Sequence, residues 1–160
     1  MLEREEYVEQ AYLFKALLER GRENVATQDL LARLKDEVLT TSKLSLAIDF
    51  LVGELKHAGV FSTAMARMPH YFTPFQTYVI SEAERERGRF DFFMAVDILR
   101  REAEYRAGEP TPQGLFVYEF ESISRNRLGY DRGLEAISAD DIFDEAWREW
   151  ILTVRRQVGF

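Results

Sequence analysis

A chain of 160 residues and 18.7 kDa, 46% apolar, is long enough for one self-sufficient core, burying roughly 68–70% of its unfolded surface. The absence of cysteine excludes a disulfide framework, a thiolate metal site and a cysteine nucleophile, and no apolar run approaches the ~18 residues of a membrane span. A net charge of −7 and a charged, mostly acidic start (Glu3, Arg4, Glu5, Glu6) argue against a signal peptide, so the expectation is a cytoplasmic protein with no membrane partner.

From Glu3 to Arg20, Tyr7, Ala11, Phe14 and Leu18 recur at helical spacing, with Gly21 as a natural stop. Thr27 opens a second helix on Leu30, Leu31, Leu34 and Val38, whose pattern persists to Val38 or Leu39 before Thr40-Thr41-Ser42 interrupts it. A third helix carries Leu44, Ile48, Leu51 and Leu55 and ends at Ala58-Gly59. Residues 60–63 and 70–73 are short β-prone runs around Met65-Ala66-Arg67-Met68-Pro69, and they are expected to pair as a small β-hairpin. Thr73-Pro74-Phe75-Gln76 is the clearest helix start: a cap hydroxyl, a proline at the first helical position and a glutamine three residues after the cap.

The second half reads as four helices. One runs from Pro74 to about Arg87 and stops at Gly88; the next occupies Phe90 to Ala107 on Phe92, Val96, Leu99 and Ala103. Thr111-Pro112 opens a third that buries Phe116, Phe120 and Ile123 and stops at Gly129. Ser138-Ala139-Asp140-Asp141 is expected to cap the last, with the stripe Phe143, Trp147, Trp150, Val154 and Val158. The expected fold is therefore mostly α. A three-helix N-terminal half with a hairpin (1–73) precedes a four-helix half (74–160) that packs on itself or makes a homodimer.

Three helices, Leu55-Lys56-His57-Ala58-Gly59-Val60-Phe61, a hairpin and then Phe72-Thr73-Pro74 together resemble a winged helix-turn-helix domain of the PadR and MarR kind. The resemblance covers about residues 3–75. It implies a transcription regulator, or an interaction protein on the same scaffold, whose partner is DNA or another protein. The candidate DNA contacts are Ser42, Lys43, Ser45 and Lys56 on the third helix and Arg67 on the wing. Two features depart from that pattern. Asp49 sits on the face that would enter the groove, and residues 19–67 carry no positive excess.

The other reading is a helical small-ligand or metal-binding protein. Ser124-Arg125-Asn126-Arg127-Leu128-Gly129-Tyr130-Asp131-Arg132 clusters arginines near a helix end. Arg125, Arg127 and Arg132 are the candidate ligands of a phosphate or carboxylate, although an ordinary basic helix terminus has the same appearance. Glu54-Leu55-Lys56-His57 places a carboxylate and an imidazole on one helix face, and a returning hairpin would bring His70 toward them. A histidine interacting with the helix dipole is the simpler account, so no metal is assigned. The Glu82/Arg85/Glu86/Arg89 alternation reads as a solvated face. There is no Gly-x-Ser-x-Gly elbow, P-loop or dinucleotide fingerprint, so nothing affirmative points to an enzyme and no cofactor is expected.

Overall fold

A computed structural model describes residues 1–21, 27–38, 42–85 and 90–158. Among these residues every regular element is a helix: α1 (Arg4–Gly21), α2 (Thr27–Glu37), α3 (Lys43–Ala58), α4 (Phe61–Ala66), α5 (Pro74–Ala83), α6 (Phe92–Ala107), α7 (Pro112–Arg125), α8 (Tyr130–Ser138) and α9 (Glu145–Val158). None of them is long and apolar enough to cross a membrane.

Several ends follow local chemistry. Gly59 closes α3 in the left-handed region at φ 76°, its N–H donating to the Leu55 carbonyl at 3.0 Å. Thr73 and Gln76 form the reciprocal capping box of α5, and Thr111 caps α7 ahead of Pro112. The expected stops at Leu39 and Gly88 lie outside the described residues.

The β-hairpin is absent. Phe61-Ser62-Thr63-Ala64-Met65-Ala66 is helix α4, and residues 67–72 follow as consecutive turns, with Tyr71 and Phe72 N–H both donating to the Met68 carbonyl. The β preference of four residues is a weak prior that tertiary packing overrides. Here Phe61, Ala64 and Met65 form a buried helical stripe. The Glu84 carboxylate, at the end of α5, also accepts from the N–H groups of Phe61 and Ser62, two of the orphan donors of the first turn of α4.

Among the described residues the second half contains five helices rather than four. Gly129 does not stop α7; it is the N-cap of a separate helix, α8, with φ −66°. The left-handed residue that ends α7 is Arg127, at φ 55°. Its N–H donates to the Ser124 carbonyl and that of Leu128 to the Ile123 carbonyl, the bond pair of a Schellman motif with arginine where glycine is usual. Asp140 and Asp141 likewise precede α9 in a turn. Asp144 supplies the cap, accepting from the Trp147 N–H at 2.8 Å.

The helices share one core. α1 packs most extensively on α6 and runs antiparallel to it: Tyr7 meets Arg106 at one end, and Phe93 lies against Gly21 at the other. Leu13, Leu31 and Ile48 belong to the same buried cluster as Val79, Leu99, Leu115, Leu134 and Ile151, so the core continues across residues 73 and 74. Between the halves, Gln10 and Gln76 are both fully buried. The Gln76 amide donates to the Gln10 side chain at 2.9 Å, and the Gln10 amide donates to the Tyr71 carbonyl at 3.1 Å. The α9 stripe is only partly turned to its own chain: Trp147 and Trp150 meet Phe116 of α7 at tilted and edge-on angles, and Trp150 stays half-exposed.

Candidate functional site

Where α7 ends and α8 begins, the chain reverses over α5 and the start of α6 and encloses a groove of about 520 Å³. Close packing sets the position of α8 beside it. A Cβ on Gly133 would lie 2.6 Å from the Ile123 side chain and 3.2 Å from the Tyr78 ring, so α8 approaches α7 and α5 as it does only because residue 133 is glycine. The Tyr78 hydroxyl donates to the Gly129 carbonyl at 2.8 Å and lies 3.1 Å from a Glu82 carboxylate oxygen. Burial, reinforced by the Glu82 charge, pushes that hydroxyl well above the usual tyrosine range, so it stays protonated and fastens α5 to the start of α8.

Three arginines line the groove: Arg85 just past the end of α5, Arg127 from the Schellman turn and Arg132 from the first turn of α8. Two carboxylates line it as well, and both are engaged. Glu82 pairs with Arg85 at 3.1 Å, and Asp131 pairs with Arg155 of α9 at 2.8 Å. The Arg132 guanidinium lies over the Tyr78 ring, 5.9 Å from its centroid. Among the described residues neither Arg127 nor Arg132 makes an ion pair. The first turn of α8 lines the same groove, and its N-cap glycine has no side chain with which to cap it.

Of the three arginines expected from sequence, Arg127 and Arg132 come together. Arg125 does not: it is exposed and bound to Glu121 at 2.6 Å. Arg85, some forty residues upstream, was not among the candidates, and no local pattern links it to them. Its partner Glu82 is buried rather than on a solvated face, while Glu86 and Arg89 lie outside the described residues.

The candidates on the third helix are scattered. Ser42 is the N-cap of α3, and the Lys43 backbone N–H donates to the Glu6 carboxylate. Ser45 is buried, so it offers nothing to a groove. Asp49 pairs with Lys35 at 2.6 Å. Lys56 is exposed; Arg67 follows α4 rather than sitting on a wing, and it pairs with Glu54 at 3.1 Å. Among the described residues no group of three or more histidines or carboxylates is placed to hold a metal ion, so Glu54, His57 and His70 do not form one.

A second polar cluster lies in the interior. Arg106 of α6 donates to Glu102 one turn earlier at 3.2 Å and to Asp140 in the turn before α9, with Tyr7 of α1 against its guanidinium. Glu119 of α7 is also fully buried there, and both its oxygens and Oε2 of Glu102 receive no N–H or O–H donor. Burial first, then the charge on Glu102, raises the Glu119 pKa well above the ordinary value; burial likewise raises Glu102 against the pull of Arg106. A proton held between the two carboxyls gives each a partner. Burial alone would lower the Arg106 pKa, but the charges of Glu102, Asp140 and Glu119 outweigh it and keep the guanidinium ionised. The Glu102–Arg106 spacing of four was visible in sequence; Asp140 and Glu119 reach them only through the fold.

No family model, curated protein or solved structure matches the chain. The functional reading therefore rests on the groove and on the surface around it.

Proposed function

We propose that this protein binds a small anion, a phosphate or a carboxylate, in the groove between α5, α7 and α8. One observation carries this reading. Arg127 and Arg132, both solvent-accessible, line the groove without a carboxylate partner among the described residues, because the two carboxylates beside them are already occupied. Guanidinium donors match the geometry of carboxylate and phosphate oxygens, and such charge-assisted bonds are roughly twice as strong as neutral ones. The α8 macrodipole has the same sign. The test is thermal unfolding with phosphate, pyrophosphate and citrate at constant ionic strength. Saturating anion at about 100 times its Kd adds ~2.7 kcal/mol of stability. That gain should vanish in R127A and R132A; a gain of equal size in both variants would remove the assignment.

A second reading, a regulatory or interaction protein, draws support from the outer face of α3. Leu46, 73% exposed, and Phe50 stand one turn apart there between Lys43 and Lys56. Two apolar side chains suit a protein surface better than the phosphate-rich groove of DNA. Anisotropy with mixed-sequence duplex DNA at low salt separates the two partners. Binding lost in K43A/K56A would favour DNA, and its absence would leave a protein. A homodimer through α7 and α9 belongs to the same reading, since Val117 and Trp150 are exposed on them. Sedimentation at increasing concentration tests it.

A further inference from the structure

We propose that the anion bound in this groove is the head of an amphipathic molecule, a medium-chain alkyl carboxylate or alkyl phosphate, whose tail occupies the neighbouring cavity. This rests on the anion-binding reading and specifies its ligand. The neighbouring cavity, of about 540 Å³, lies between α4, α5 and α8, and Tyr78 and Arg132 line both spaces. The two therefore meet at the guanidinium that stands over the tyrosine ring.

Their linings differ in charge. Three arginines, two carboxylates and a helix N-terminus surround the first, beside Phe90, Met94 and Leu128. Away from Arg132 the second is lined by apolar side chains, Met65, Pro69 and Phe72 among them, and by the hydroxyls of Ser62, Thr63, Thr77 and Ser81. Its one carboxylate, Glu135, stands 3.7 Å from the Arg155 guanidinium. Charged side chains are thus concentrated around the first space, while the second, which shares Tyr78 and Arg132 with it, is lined mainly by apolar side chains and hydroxyls. Each volume lies within the range of small-molecule sites, about 300–1,000 Å³. A free phosphate would satisfy the arginines and leave the second cavity without a role. A neutral lipid would fill that cavity and leave Arg127 to water. An alkyl chain ended by an anion matches both.

The experiment is calorimetric titration of the full chain with acetate, butyrate, hexanoate, octanoate, octyl phosphate, inorganic phosphate and octanol, each below its micelle concentration. Each buried CH₂ contributes ~0.8 kcal/mol, so affinity should rise up to about fourfold per methylene along the carboxylates. Octanol should bind at least tenfold more weakly than octanoate. R127A should weaken octanoate and phosphate together, and A136W, which fills the tail cavity, should flatten the chain-length series. Should A136W fail to fold, the series on the unaltered protein still decides. Inorganic phosphate binding that R127A abolishes, with no dependence on chain length, would overturn the amphiphile and leave the anion groove standing. Octanol binding as tightly as octanoate would overturn the charged head. Failure of every anion to bind would overturn both.

Discussion

Replacing Arg106 with methionine tests how the interior is held together. The guanidinium is fully buried and joins α6 to the turn before α9, with Tyr7 of α1 against it and Glu119 of α7 in the same cluster. Methionine keeps much of the side chain's apolar stem and removes the charge. Glu102 and Asp140 are then left buried with no cation, beside Glu119. Removing one partner of a buried ion pair costs about 3–5 kcal/mol, and two carboxylates are orphaned here, so the expected loss lies at the upper end. Against a total stability of about 5–15 kcal/mol for a domain, that is a third or more. The loss also has a pH signature. Orphaned carboxyls have folded pKa values above their unfolded ones, so their cost is absent below the unfolded pKa and grows as pH rises. Urea unfolding of both proteins at pH 4.5 and pH 8 measures it. A loss below about 1 kcal/mol, or one equal at both pH values, would refute the reasoning.

Glu119 supplies a complementary test. Its folded pKa lies above the ordinary 4.5, so the wild type loses stability as pH rises from that value toward the folded pKa, about 1.4 kcal/mol for every pH unit crossed. E119Q mimics the protonated form and should flatten that decline, so urea curves at pH 5 and 8 that stay parallel to wild type would contradict a shared proton. R127G relieves a left-handed arginine, which costs roughly 1–2 kcal/mol, so the variant should melt higher while binding anions less well. A lower melting temperature would count against the Schellman strain. E84A strips the acceptor from two N–H groups of α4 and should cost about 0.5–2 kcal/mol, with faster amide exchange confined to Phe61 and Ser62; unaltered exchange there would contradict the capping role.

Features decided by neighbouring residues were readable in the sequence. Thr73-Pro74-Phe75-Gln76, Thr111-Pro112 and Gly59 work as their residue types suggest, because each cap closes within a few residues. Residues 60–73 read as β-prone in isolation because what makes α4 is not local: it depends on Glu84, more than twenty residues away, and on burial of Phe61 and Met65. Asp140 has the composition of a helix cap but is drawn to Arg106, 34 residues upstream in the chain. The groove shows the same division. Arg127 and Arg132 lie five residues apart on either side of one turn, so their proximity was legible. Arg85 and the cavity beyond Tyr78 exist only once α5 lies against α8. Arg125 shared the same sequence cluster, yet its position on α7 gives it to Glu121.

That contrast supplies the most direct test of the anion groove. Calorimetric titration with inorganic phosphate should show one site in the wild type and in R125A, because Arg125 is bound to Glu121 and does not line the groove. The R127A/R132A pair should lose that site. No heat in the wild type, or an equal loss in R125A, would contradict the assignment of this groove as the place where the protein binds its ligand.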